Sequence, residues 1–222
     1  MNEIILVLSG AIAYLCVAVI ARLFGKTGLF AWIGISTILA NIAVIKQVGM
    51  FGLDVTLGNI MFSSTYLATD ILTEAYGHKV ARKAVYIGLA SALVFVAFGL
   101  TVNLYKPNGF DFASEPLNTI LSFSMRTTTC SIICFFLSNL ADVWIFEKFR
   151  EHSTKNLWLR NNVSTILCNC AENFAFTFAA FLGVYDMQTC LSIALSTCVI
   201  ETICGLLDTP FAYLGRKWAR QE

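Results

Sequence analysis

Apolar residues in this chain arrive in long blocks, not in the alternation of a half-buried strand or the spaced stripe of a surface helix. Seven blocks approach membrane-spanning length: Ile4–Ala21, Leu29–Ile45, Thr56–Tyr76, Ala84–Tyr105, Arg126–Phe146, Asn161–Gly183 and Met187–Leu214. Between them lie short polar or glycine-containing links. These include Gly49 to Asp54, the basic turn His78 to Lys83 after a capping Gly77, and the stretch Lys106–Leu117, which carries two prolines. The pattern predicts an all-α polytopic membrane protein forming a single transmembrane domain over residues 1–222. The first block has no basic flank before it and continues to spanning length, so it reads as a membrane helix and not as a cleaved leader.

The sixth block organises the rest. It reads NNVSTILCNCAENFAFTFAAFLG, with one carboxylate, Glu172, eleven residues from either end. At a rise of about 1.5 Å per residue, Glu172 falls roughly 16 Å from each end, near the midplane of a ~30 Å hydrocarbon core. Asn162, Thr165, Asn169, Glu172 and Phe176 are spaced by three and four and share one helix face. A carboxylate at that depth requires a partner or a wet cavity.

Other blocks also carry polar groups. Asn41 lies on the second, and Asn59, Ser63, Ser64, Thr65, Tyr66, Asp70 and Glu74 lie on the third. Ser131, Ser138 and Asp142 form a stripe on the fifth, and Glu201 and Asp208 lie on the seventh. Several helices with polar faces fit a bundle around a cavity. A bundle whose polar groups bond one another fits too, and for the hydroxyls it is the simpler account, because Ser and Thr bond the preceding helical carbonyl. Asp70 and Glu74 sit one turn apart at a helix C-terminus, where the dipole disfavours anions. They call for basic partners in a gating or structural ion pair, and Arg82, Lys83 and Arg160 are available on the same side.

Composition agrees with the block pattern: 57% of residues are hydrophobic, 13% are charged, and the mean hydropathy is +0.72. Soluble domains run near 25% charged. The net charge of +1 gives no field that would attract nucleic acid. Of the fifteen Lys and Arg residues, twelve cluster around Arg22, Lys79, Lys148 and Arg216, each cluster after an odd-numbered block. The other three are Lys46, Lys106 and Arg126. By the positive-inside rule the N-terminus is outside and the C-terminus cytoplasmic. All eight cysteines fall in apolar blocks without a CxxC, and both histidines lie in basic loops, so no metal or cofactor is expected. No HExxH, GxSxG or P-loop signature is present, and the chain does not read as an enzyme.

The stretch FSSTYLATDILTEAYGHKVARKAVYIGL, Phe62 to Leu89, resembles the signature of the queuosine precursor transporters, also called the vitamin uptake transporter family. Later marks follow in the family's order: Arg126, Ser138 to Asp142, WLRNNVST from Trp158 to Thr165, Glu172, and Thr209-Pro210. The likeness runs from Asn41 to Tyr213. It implies a six-helix core similar to the substrate-binding components of energy-coupling-factor transporters, with the first block as an extra N-terminal transmembrane helix. It also implies uptake, across a bacterial inner membrane, of 7-deazaguanine bases: the 7-cyano or 7-aminomethyl compound, or queuine.

Three positions depart from the family pattern: Ser63 replaces a proline, Glu172 an aspartate, and Glu201 a basic residue. A 7-deazaguanine presents N1–H beside an exocyclic amine, two donors that one carboxylate accepts together, which assigns that edge to Glu172. Asn41, Asn169 and Asn162 suit the carbonyl and the ring N–H, with Thr165 beside them. Phe62, Tyr66, Phe174 or Phe176 would cover the flat faces. For a cationic aminomethyl arm, Glu201 or Asp70 supplies a second acid.

The alternative is a vitamin-binding subunit dependent on a separate energy-coupling ATPase module. Such subunits dock through an Ala-x-x-x-Ala, whereas Ala31, Ala40 and Ala43 on the second block are not four apart. The expected partners are a small purine-like base and the lipid bilayer. The lipid-like first and fourth blocks offer surfaces for pairing two copies as a homodimer.

Overall fold

The structure is a computed structural model that describes residues 1–152, 170–207, 211 and 214. It is mostly helical. Helix α1 spans Asn2–Ala43, and 42 residues would extend roughly 63 Å if straight, about twice a hydrocarbon core. Gly25, at φ 52° and ψ −141°, breaks it. That backbone region is essentially open to glycine alone. Tyr14, Val17 and Ala21 before the break and Leu29 and Ile33 after it belong to one packed cluster. The Asn2 amide donates to the Gly49 carbonyl at 3.1 Å, so both ends of α1 lie on the same side of the molecule. The two halves therefore run up and back.

The link after α1 contains a short hairpin, a departure from the all-helical expectation. Strands β1 (Gln47–Met50) and β2 (Leu53–Thr56) pair antiparallel, with Met50 opposite Leu53. The connecting residues Phe51 and Gly52 both have positive φ, at 54° and 77°. Two such residues make the turn whose twist matches the paired strands. Met50 and Val55 pack with Ile200 from a later helix, and Leu6 of α1 rests against them.

Helix α2 (Gly58–Tyr76) packs most extensively on α1. Gly58 permits this approach, because a Cβ there would stand 3.0 Å from the Ala40 carbonyl oxygen. Trp32 Nε1 donates to Ser64 Oγ at 3.2 Å, and Ser36 and Thr65 share a 2.8 Å hydroxyl bond. Helix α3 (His78–Val102) follows directly after Gly77 and crosses α1 where Gly34 meets Ser91. Helix α4 runs Ser114–His152, starting twelve residues before the predicted fifth block. Pro107 and Pro116 made this region read as a loop, but Pro116 lies in the first turn, where its missing N–H has no helical partner to lose. Asp111 accepts from the Ala113 and Ser114 amides at 2.8 and 2.9 Å, closing that turn. Residues 170–181 are helical and form α5 as described; α6 spans Met187–Leu207.

Among the described residues, two helices are long and apolar enough to cross a membrane: Asn2–Ala43 and Lys79–Val102. Only 28% and 22% of their most apolar windows are buried, unlike the core helix of a soluble protein. Ile4, Leu8, Ile12 and Leu15 on α1, and Leu93, Val94 and Phe98 on α3, face outward. Such faces suit lipid, where helices associate through close packing of small residues. Ala13, Ala18, Ala21 and Ala40 are all buried.

Asp186 makes the sharp turn from α5 into α6. Its carboxylate accepts from the Gln188 and Thr189 amides at 3.0 and 3.3 Å and from the Thr189 hydroxyl at 2.6 Å, an N-cap arrangement. The Thr189 hydroxyl first, and the amides with it, hold this carboxyl below its ordinary range. A lowered folded pKa stabilises above the unfolded value of about 3.9 and is lost as pH falls through the folded value. We expect Asp186→Ala to lower the thermal midpoint in detergent at neutral pH. The deficit should shrink below about pH 4, and Asp186→Asn should keep most of the midpoint. An unchanged midpoint in the alanine variant would refute the capping role.

Candidate functional site

Two cavities meet inside the bundle. The larger, of about 300 Å³, lies among α1, α2, α3 and α4, with Thr37, Asn41, Thr65, Thr69 and Thr128 on its walls. The smaller, of about 50 Å³, lies among the hairpin, α2, α5 and α6, with Thr56, Asn59, Asn173, Thr197 and Glu201. Four residues line both: Phe62, Tyr66, Ser131 and Glu172. Glu172 therefore stands at the junction, beside two aromatic rings from α2.

Helix α5 carries Glu172, and its end is held in place. Arg126 of α4 donates through one guanidinium nitrogen to the Ala179 and Leu182 carbonyls at 3.1 and 2.8 Å. These carbonyls belong to the negative end of the helix, where a cation is favoured. Gly183, at φ 87°, then turns the chain, and the Val184 and Tyr185 amides both bond back to the Phe181 carbonyl. Phe181 is buried among Phe123, Phe176 and Tyr185, whose ring centroids lie 5.8 to 6.1 Å away.

Three hydroxyls on the wall of the larger cavity are spent on their own helices. Thr37, Thr65 and Thr69 each bond the carbonyl four residues back, at 2.7, 3.0 and 2.9 Å. The Asn41 amide donates to the Thr37 carbonyl at 2.8 Å, which leaves its own carbonyl oxygen as an acceptor at the larger cavity. Thr128, 1% exposed, has a hydroxyl with no hydrogen-bond partner among the described residues. In the smaller cavity Asn59 accepts from the Thr56 hydroxyl at 3.3 Å and donates to Thr197 at 3.5 Å. Asn173 donates to Glu201 at 2.7 Å. The hairpin is pinned to α6 beside this cavity: the Asp54 amide donates to Ser192 at 2.9 Å, and the Ser196 hydroxyl donates to the Asp54 carbonyl.

The expected site residues thus divide. Glu172, Asn41, Phe62, Tyr66, Phe176 and Glu201 come together on the two cavities. Phe174 lines neither cavity and stacks on Phe178 at 6.4 Å. Asp70, Glu74 and Arg82 also line neither. Among the described residues no ion pair joins Asp70 to Arg82. Asp142 falls on the backbone of α4; Asn162, Thr165, Asn169, Arg160 and Asp208 lie outside the described residues. Asn173 was not anticipated. It shares a face with Cys170 and Thr177, spaced three and four, next to the face that carries Glu172. That second polar stripe was the available signal.

A family model described as "Putative vitamin uptake transporter" matches residues 56–215. The chain belongs to the vitamin uptake transporter family. A Bacillus subtilis protein named "Probable queuosine precursor transporter" is 38% identical over 208 residues, covering 93% of this chain and 91% of the relative. The Escherichia coli "Queuosine precursor transporter" is 27% identical over 142 residues, 64% of this chain and 62% of its own. A Haemophilus influenzae protein named "Probable queuosine precursor transporter" is 28% identical over 136 residues, 61% of this chain and 56% of its own. No solved structure matches the chain. This family member is a transporter and not an enzyme.

Arg126 ties the end of the helix that carries Glu172 to α4. Arg126→Ala removes two charge-assisted bonds, each worth about 1.5–3 kcal/mol when buried and less at this exposed position. We expect a net loss of about 1 kcal/mol, read as a lower thermal midpoint, with Arg126→Lys intermediate. Equal midpoints for all three proteins would remove Arg126 from this role.

Proposed function

We propose that the chain is a multi-pass carrier of the bacterial inner membrane that takes up a queuosine precursor, a 7-deazaguanine base, for tRNA modification. The observation that carries this reading is Glu172 at the junction of the two cavities, which Phe62 and Tyr66 also line. The carboxylate would accept the paired donors of the guanine-like edge. The two rings offer their faces to the bicycle, and the Asn41 carbonyl oxygen and the Thr128 hydroxyl are within the same larger cavity for the remaining polar atoms. A volume of about 300 Å³ is at the lower end of the range for small-molecule sites. The N-terminus lies outside and the C-terminus in the cytoplasm, following the distribution of Lys and Arg. The core is of the energy-coupling-factor substrate-binding type, with the first half of α1 added to it. The names of the relatives support the substrate class.

Movement of the base past a buried acid fits alternating access around a midplane site. Liposomes containing only this protein should accumulate labelled 7-aminomethyl- or 7-cyano-7-deazaguanine, to the exclusion of adenine. Glu172→Gln should bind the base about ten-fold or more weakly by calorimetry, because it replaces one acceptor with a donor against a donor edge. Absence of flux without added ATPases would favour a binding subunit. Wild-type affinity in Glu172→Gln would take the edge away from Glu172.

A further inference from the structure

We propose that the smaller cavity is a subsite for a short cationic arm on the base, read by Glu201, so that this carrier prefers a primary-amine substituent to a neutral one of equal length. The inference rests on the reading of the chain as a carrier of 7-deazaguanine bases. Size is the first argument. By the measure in which one water needs about 10–15 Å³, the 50 Å³ of this chamber holds a few heavy atoms. It is too small for a bicycle, which belongs in the larger chamber. It fits an arm of two heavy atoms beyond the ring.

Chemistry is the second argument. An ionised carboxylate has about four acceptor sites, and among the described residues Glu201 receives one hydrogen bond, from Asn173. The amide fixes one side of the carboxylate and leaves acceptor capacity facing the chamber. On that wall Thr56 bonds Asn59 and Asn59 bonds Thr197, Tyr66, Ser131 and Thr177 carry neutral hydroxyls, and Glu172 takes the donor edge of the bicycle. Glu201 is the second carboxylate there, and a primary ammonium has three N–H donors and a charge to offer it. A nitrile has neither.

Continuity is the third argument. Phe62, Tyr66 and Glu172 line both chambers, so a bicycle against these rings can send an arm into the smaller space. The donor edge and the 7-arm leave the bicycle in well-separated directions. Two carboxylates on different helices can therefore take one each, Glu172 on α5 and Glu201 on α6. Asn173 acts on the substrate only through Glu201 and is a positioning residue.

The test is calorimetric binding of 7-aminomethyl- and 7-cyano-7-deazaguanine to the detergent-purified full chain, with thermal melts to verify folding of each variant. Wild type should bind the amine about ten-fold or more tightly than the nitrile. Glu201→Gln should reduce that ratio to near one, chiefly by weakening the amine, and Glu201→Asp should keep part of it. Queuine, whose arm carries a substituted five-membered ring, should bind more weakly than the amine. Equal wild-type affinities for amine and nitrile, an amine preference that survives in Glu201→Gln, or queuine binding as tightly as the amine would overturn the subsite. Failure of wild type to bind any of the three bases would instead overturn the carrier reading itself.

Discussion

In hydrocarbon no water is available to a polar group, so each one must find its partners within the protein. That requirement sorts the side chains of this chain into two sets. Thr37, Thr65 and Thr69 turn their hydroxyls onto the carbonyls four residues back and become neutral surface. Asn41 spends its amide donors the same way but keeps its oxygen. Among the described residues the Thr128 hydroxyl has no partner although it is buried, and Glu201 receives one hydrogen bond where a carboxylate can take about four. Asn41 and Thr128 line the larger cavity beside the satisfied threonines, and Glu201 lines the smaller one. Buried polar atoms of Gln47, Asn103 and Ser124, which line neither cavity, also have no partner among the described residues.

The scaffold around these cavities follows from a few local devices. The break at Gly25 doubles α1 back, so that its two halves wall α2 on one side. The hairpin brings Thr56 to the smaller cavity, and its Asp54 backbone is bonded to Ser192 and Ser196 of α6. Arg126 and the Gly183–Asp186 turn hold the end of α5. Glu172 and Glu201 are consequently carried on adjacent antiparallel helices joined by a tight turn. Their separation is set by that turn and by the Asn173 bond across the pair. The larger cavity instead belongs to α1 through α4, with Glu172 reaching it from α5.

Much of this was legible in the residues. A carboxylate in the middle of a membrane-length block stands out whatever surrounds it, and Phe62 and Tyr66, with Phe174 and Phe176, are the rings the sequence offers to cover a base. The hairpin was not legible. Its strands are four residues each, their alternation is too short to register, and the turn Phe51-Gly52 lacks the usual asparagine or aspartate. The early start of α4 was hidden by Pro116, since proline reads as a breaker unless its place in the first turn is known. Thr128 and Asn173 were missed for a different reason. A sequence does not record whether a given hydroxyl or amide bonds its own backbone or a neighbour, and that choice separates a wall residue from a binding residue.

The two acids differ in company more than in type. Glu172 stands where both cavities and both α2 rings converge, whereas Glu201 sits in the narrower one, held by an amide from the neighbouring helix. An amide orients a carboxylate but adds no charge to balance it. The desolvation of a charged group in a tight polar chamber is met best by an opposite charge of small size. A neutral arm of equal length would fill the same volume and leave that balance unchanged. Volume alone would make the smaller cavity a place for any short substituent; in the proposed subsite the Glu201 carboxylate is what would single out an amine.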